Sequence, residues 1–281
     1  MKVALLQIAI EHNNPEDNYL AAERAVRTAV AGDPAIDLAV LPEFLLGNPE
    51  LPEPTNFSET AEHEYLKRFQ ALARELRINL VPGTLSQLHP TSADGLPLVN
   101  IAYWIDRTGA VLGSYVKKNL WHPERARYTK GPEPHSVFET EFGRTAFLIC
   151  WDVMFAEPFL MLSDLNVDLI VVPSYWLGND GAGQSHNPDS EREFLRHALP
   201  TRAFEAGAAV VYVNVGGDPD AGYIGLSQVA LPLVGVKDDV VLGPTDPPRV
   251  IDLGDNWKEV LADAERIYKI RADRSDDAWH Y

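Results

Sequence analysis

Cysteine is nearly absent: the 281-residue chain holds one, Cys150. A lone thiol excludes an intramolecular disulfide and any zinc site built on several cysteines, and it fits a reducing, cytoplasmic setting. Positive charge is scarce as well. Twenty-four Lys and Arg stand against 41 Asp and Glu, a formal charge of −17. The average field therefore repels phosphate backbones and anionic lipid, and neither nucleic acid nor a membrane surface is an expected partner. No run approaches the roughly 20 apolar residues of a membrane span. The opening MKVALLQIAI passes straight into the polar EHNNPEDN without a small-residue cleavage site, so it reads as a first strand rather than a signal peptide. The eight His residues show neither an HExxH run nor a paired ligand spacing, and no metal is expected. Gly181-Ala182-Gly183 runs into Gln184-Ser185-His186 without the third glycine or the Gly-Lys-Ser/Thr of phosphate loops. It reads as a flexible rim loop, and no cofactor is expected. Internal repeats, low-complexity segments and linkers are absent too.

What is present is a core. Hydrophobic residues make up 46% of the chain and aromatics 9%, enough for one large α/β domain over residues 1–281, with a polar tail from about residue 272. Residues 3–10 are β-rich. Asn14-Pro15 then supplies a helix cap and a first-turn proline, and Tyr19, Ala22, Val26, Ala29 and Val30 share one helical face. A short strand over 37–41 ends at Pro42-Glu43, completing a βαβ unit. A second helix is expected from near Ser58, with Tyr65, Leu66, Phe69, Leu72, Ala73 and Leu76 on its buried face, before a strand over 79–83.

Residues 99–118 read as an antiparallel hairpin around Asp106-Arg107-Thr108-Gly109, ending at Lys117-Lys118. A second strand pair, 137–140 and 145–150, turns at Phe142-Gly143 and leads into a helix over 157–165, which puts Cys150 at a strand-to-helix turn. Strands over 168–173, 208–215, 227–234 and 239–242 follow, with a helix from Glu191 to about Gly207. A last helix, from about Trp257 to Ile267, precedes an expected short strand over 268–271. The chain closes on Ala278-Trp279-His280-Tyr281, aromatics that suit either docking on the body or a partner subunit, or simple tolerance at a chain end.

Taken alone, a cysteine after an apolar strand is a small core hydrophobe. Its place at a sharp strand-to-helix turn changes that reading. A nucleophile there projects from the sheet, and following backbone N–H groups point where an oxyanion would form. The N–H of Trp151 is the candidate donor. The nearest histidine in sequence is His135, so a Cys-His pair is not obvious. The other route to activation is a carboxylate base with a neighbouring ammonium, which Glu43 and either Lys117 or Lys118 can supply. Each of these is equally compatible with a solvated loop acid or a surface lysine. Tyr175 and Trp176, just beyond a buried strand, suit the wall of an apolar pocket or plain packing.

Three segments taken together resolve this. Ala39-Val40-Leu41-Pro42-Glu43-Phe44, Gly113-Ser114-Tyr115-Val116-Lys117-Lys118-Asn119-Leu120 and the run from Leu148 through Cys150-Trp151-Asp152 to Glu157 resemble, in order and spacing, the three motifs of the nitrilase (carbon-nitrogen hydrolase) superfamily. Gln7, the Thr201-Arg202-Ala203-Phe204-Glu205 segment and the strand with Asn214 extend the resemblance over essentially the whole chain.

The resemblance implies an αββα four-layer sandwich of two mixed sheets between helix layers, paired as a homodimer or higher homo-oligomer. It implies a Glu43-Lys117-Cys150 triad: Glu43 as general base, Lys117 rather than Lys118 as electrostatic stabiliser, and Glu124 orienting the lysine and the substrate. Asn119, Met154 and Ala156 depart from the family's usual histidine, arginine and proline. The missing arginine puts carboxylate recognition at that position in doubt. The activity implied is hydrolysis of a small-molecule amide or carbamoyl amide through a thioester at Cys150. The alternatives are a nitrile hydrolase with the same trio and a non-catalytic binding or sensor protein on the same scaffold.

Overall fold

The first strand, β1 (Lys2–Leu5), alternates between two buried faces, because Val3 and Leu5 point one way and Ala4 and Leu6 the other. The same alternation in β2 (Leu38–Val40) sends Leu38 and Val40 inward and Ala39 and Leu41 outward. A strand apolar on both faces must be covered on both. Helices α1 (Pro15–Gly32) and α2 (Glu64–Leu76) cover the outer face with Tyr19, Ala22, Val26, Leu66, Phe69, Leu72 and Ala73. A second sheet covers the inner face. The structure is a computed structural model, which describes residues 1–12, 14–47, 58–59, 63–88, 98–132, 134–181 and 185–276.

The first sheet also contains β3 (Ser58–Glu59), β4 (Asn79–Val81), β5 (Thr84–Leu88), β6 (Leu98–Ile105), β7 (Val111–Val116) and β14 (Arg249–Asp252). Its order is β14-β1-β2-β4-β6-β5-β3, with β7 paired to β6. The second sheet is formed by β8 (Val137–Thr140), β9 (Gly143–Phe147), β10 (Leu169–Pro173), β11 (Ala209–Val213), β12 (Gln228–Leu231) and β13 (Gly235–Val236), in the order β13-β12-β11-β10-β9-β8. Both sheets are mixed. β1 and β2, β2 and β4, β9 and β10, and β10 and β11 pair in parallel, and β14 runs antiparallel to β1. Helices α3 (Glu157–Asp164) and α4 (Ser190–Ala206) back the second sheet with Phe159, Leu162, Leu195, Leu199 and Ala203. The result is the α/β architecture, αββα, expected from the sequence.

Five local expectations change. Residues 58–59 pair with Ser86 and Gln87 as a short parallel strand, and α2 begins at Glu64 after His63 takes a left-handed conformation. The first strand stops at Leu5, well before residue 10. The expected strand over 268–271 is helical: Lys269, left-handed at φ 53°, ends α5 (Trp257–Tyr268), and the chain recoils into α6 (Ile270–Ser275). Residues 239–242 form no strand, because the positive φ of Asp238 and Asp239 turns the chain. Finally, β5 and β14 were not anticipated. The tail aromatics Trp279 and Tyr281, and most of the Gly181-Ala182-Gly183 loop, lie outside the described residues.

One glycine fixes the approach to Glu43. Gly83, between β4 and β5, has φ +66°, and a Cβ built there would sit 1.7 Å from the Pro42 carbonyl oxygen. Gly83→Ala is therefore expected to destabilise the protein by about 1–3 kcal/mol from backbone strain alone. Overlap with Pro42 adds to that figure and displaces the neighbouring Glu43. A lowered urea midpoint together with reduced activity checks this; an unchanged midpoint contradicts it.

Candidate active site

Parallel strands carry their following loops to one edge, and α/β proteins use that edge for ligands. Here the residues after β2, β7, β9 and β10 meet there. Glu43 follows β2, Lys117 follows β7, Cys150 follows β9, and Tyr175 and Trp176 follow β10. Glu43, Lys117, Glu124, Cys150, Trp151, Tyr175 and Trp176 all line one cavity of about 40 Å³. These are the seven residues singled out from the sequence. Phe44, Trp121, Pro123, Leu177 and Asp180 complete the lining.

The charged centre is a buried triple. Lys117 Nζ donates to Glu43 Oε1 at 2.8 Å and to Glu124 Oε2 at 2.7 Å, and each of the three side chains is only 1% exposed. Asn100 Nδ2 donates to Glu43 Oε1 at 2.8 Å and to Glu124 Oε1 at 3.0 Å. The backbone N–H of Tyr175 reaches Glu43 Oε2 at 2.9 Å, and that of Trp121 reaches Glu124 Oε2 at 2.6 Å. Taking three charges out of water costs several kcal/mol per ion unless each is paired and hydrogen-bonded. Every oxygen of both carboxylates accordingly has a donor. Lys118 instead reaches His135 Nδ1 at 3.1 Å and does not line the cavity.

Cys150 opens a short 3-10 helix, Cys150–Met154, with φ +45°. A left-handed conformation at a residue with a Cβ is strained, and it persists only when the surroundings hold it. Asp152 is the holder. Fully buried, it accepts from Ile149 N at 2.8 Å, Asn119 N at 3.0 Å, Asn119 Nδ2 at 2.8 Å and Tyr115 OH at 3.0 Å. One carboxylate thus ties the turn carrying Cys150 to the end of the hairpin carrying Lys117. Asn119 is part of that tie. Arg202 braces the far side of the turn through the Val153 and Met154 carbonyls, both at 3.3 Å.

The ionisation balance follows from burial. Desolvation raises the Glu43 pKa above its ordinary value, the Lys117 charge opposes this, and Glu124 adds to it. Burial pulls Lys117 down, but Glu124 and Glu43 outweigh it and hold the ammonium well above its usual range. The Cys150 thiol is pushed well up by burial and then by Glu43, and Lys117 only partly opposes them. A neighbouring ammonium by itself lowers a thiol pKa. In the structure burial wins, so the resting group is a thiol set against a carboxylate of raised basicity. The thiol is close enough to Glu43 to favour its ionised form, and Sγ lies 3.8 Å from the Tyr175 carbonyl oxygen.

Three contributors were missed in the sequence. Asn100 had a signal, as the one strongly polar residue in the buried run of β6. Asp152 sits inside a motif that drew attention for its cysteine. Asp180 lies in a loop whose packing no periodicity reveals.

Comparison with known proteins identifies the family. The carbon-nitrogen hydrolase family description matches residues 2–236. A probable nitrilase of Schizosaccharomyces pombe is 27% identical over 233 residues, 82% of this chain and 80% of the relative. A carbon-nitrogen hydrolase from Helicobacter pylori superposes with a TM-score of 0.82 at 19% identity, covering 98% of this chain and 95% of the other. A variant amidase from Nesterenkonia sp. AN1, carrying the acetamide moiety of fluoroacetamide on its active site cysteine, superposes with a TM-score of 0.72 at 25% identity over 96% of each chain. The chain belongs to the carbon-nitrogen hydrolase family, the nitrilase superfamily. No helix among the described residues is long and apolar enough to cross a membrane.

Proposed function

We propose that the protein hydrolyses a small non-peptide amide or carbamoyl amide through a thioester at Cys150. The observation that carries this reading is the Glu43–Lys117–Glu124 ion triple facing the one thiol of the chain across a single cavity.

Glu43 takes the thiol proton as Sγ attacks the carbonyl carbon. An ammonium has three N–H bonds, and two of those on Lys117 go to the carboxylates, which leaves one for the developing oxyanion. The Trp151 N–H, the first after the thiol, is the second donor. Preorganised donors of this kind contribute about 2.7–4 kcal/mol each. The protonated Glu43 returns its proton to the departing nitrogen, the carbon–nitrogen bond breaks, and ammonia or an amine leaves. Water then attacks the thioester with Glu43 as base, and the acid departs as Cys150 regains its proton. Glu124 orients Lys117, and Tyr175 and Trp176 wall the acyl side. The Nesterenkonia amidase, with an acetamide moiety on its cysteine, supports this assignment.

The nitrilase names of relatives from Schizosaccharomyces pombe and Pyrococcus abyssi favour a second reading, nitrile hydrolysis by the same trio. Either way the lone thiol calls for a reducing compartment. The half-exposed Met161 of α3, Leu165 just after it, and Ile267 and Tyr268 of α5 suit burial in a homodimer.

A panel of small amides, carbamoyl amino acids and nitriles, scored for ammonia release and for mass gain on the protein, tests the proposal. Wild-type protein should release ammonia and carry a transient acyl adduct. Cys150→Ala should do neither while keeping its circular dichroism. Undiminished ammonia release by Cys150→Ala would falsify the mechanism.

A further inference from the structure

The 3-10 turn over His122–Ala126 divides two spaces. Pro123 and Glu124 line the catalytic cavity, while the next residue, Arg125, lines a second cleft of about 210 Å³. Lys118, Leu120, Lys130 and Phe155 line that cleft too, and Trp151 lines both spaces. Its ring centre lies 4.3 Å from that of Trp121 and 5.4 Å from that of Trp176 on the cavity side, and 6.1 Å from that of Phe155 on the cleft side. One indole thus stands between the reacting centre and the cleft.

The charge of the cleft runs against that of the chain. Among the described residues its lining holds three cations, Lys118, Arg125 and Lys130, and no carboxylate, although acids outnumber bases 41 to 24 overall. Lys118 is engaged with His135 Nδ1. Arg125 and Lys130 make no ion pair among the described residues. Arg125 Nε donates to the Leu120 carbonyl at 3.2 Å, which orients the guanidinium and leaves its terminal nitrogens for a ligand. A guanidinium held by one edge presents paired N–H donors, and a carboxylate matches them with two parallel bonds. Lys130 adds a point charge beside it.

The catalytic cavity itself has no cation to spare for a substrate anion. Lys117 is committed to Glu43 and Glu124, and Arg202 to Val153, Met154 and Glu205. At about 40 Å³ the cavity holds roughly three water-sized groups, enough for the reacting carbonyl and its first substituent atoms. A longer substrate extends past the wall, and beyond Trp151 it meets the cations. We propose that Arg125 and Lys130 form an anion subsite, which binds a carboxylate carried by the substrate at the end remote from the scissile bond. This deepens the amide-hydrolase reading and rests on it. Both residues set specificity and take no proton.

The carboxylate sits either on the acyl chain or on the departing amine, and two pairs of amides separate these sources. Glutaramate and its neutral isostere 5-methylhexanamide test the acyl side; N-acetyl-β-alanine and N-isopentylacetamide test the amine side. Wild-type kcat/KM, read from release of ammonia or amine, should favour the anionic member of one pair by about 10-fold. Arg125→Gln and Lys130→Gln should each shrink that preference, chiefly through KM, and Arg125→Gln the more because it removes the paired donors. Equal wild-type kcat/KM within both pairs, or a preference that survives in the double variant, would overturn the subsite. Calorimetric binding of the four amides to Cys150→Ala reads the preference without turnover. If nothing is hydrolysed, yet one anionic amide binds better than its isostere and loses that advantage when Arg125→Gln and Lys130→Gln are added, the catalytic reading fails and the anion subsite stands. Equal or absent binding within both pairs sinks the subsite whatever the catalysis.

Discussion

Replacing Glu43 by glutamine is expected to slow ammonia release by about 100- to 10,000-fold, the range that a positioned general base contributes. The loss should appear in both half-reactions, since in the proposed mechanism one carboxylate accepts the thiol proton and later activates water. The pH profile identifies the group. A base works ionised, so wild-type kcat/KM falls as pH drops through the Glu43 pKa. Burial lifts that pKa, which places the acid limb above the ordinary glutamate value of about 4.3. In Glu43→Gln no group titrates there, and the residual rate should lose that limb. A variant that keeps both the limb and the rate removes Glu43 from its role. Stability should change little by comparison. The wild-type triple carries one positive and two negative charges in a buried space, and the glutamine leaves a balanced Lys117–Glu124 pair.

How much of this was legible in the sequence depended on distance along the chain. Local signals worked: Asn14 caps α1 and accepts from Asp17 N–H, and the Asp106–Gly109 turn joins β6 to β7. The short strand expected over 37–41 is β2. Signals that depend on partners far away failed. β14 lies among prolines and pairs with β1 some 250 residues earlier, an approximate separation that only the folded register discloses. Residues 58–59 lie on the polar side of any helical pattern, and their backbone bonds go to β5.

The site divides in the same way. Motif spacing named Glu43, Lys117 and Cys150, and the strand-to-helix turn gave a physical reason for the cysteine. The three elements converge only because β2, β7 and β9 end at the same edge of the sandwich. Choosing between Lys117 and Lys118 needed the resemblance, because both end the same hairpin. The fold supplies the reason: a strand alternates its side chains, so Lys117 enters the core beside Asn100 while Lys118 turns away to His135. Asn100 and Asp152 act by holding other groups in place, and such roles become visible only when the groups they hold are in view.

Lys117→Met separates the structural and catalytic sides of this arrangement. Methionine is close to lysine in volume and flexible enough to fill the same channel, so the effect reads the charge rather than a cavity. Removing the cation leaves Glu43 and Glu124 buried and facing each other, and breaking a buried ion pair this way costs about 3–5 kcal/mol. Melting should fall by roughly 10 °C at neutral pH. The deficit has a defined pH dependence. Without Lys117 to oppose burial, Glu43 titrates in the folded state above its unfolded value, so folding favours its protonated form. The loss is then largest at and above neutrality and shrinks as pH falls through the raised Glu43 pKa. Adding Glu43→Gln removes one of the stranded charges and should recover part of the stability, a positive coupling in a double-mutant cycle. Activity should not recover, since the double variant lacks both the proposed base and the proposed oxyanion partner. A Lys117→Met protein as stable as wild type at neutral pH would mean that water reaches the triple, and the raised basicity assigned to Glu43 would lose its cause.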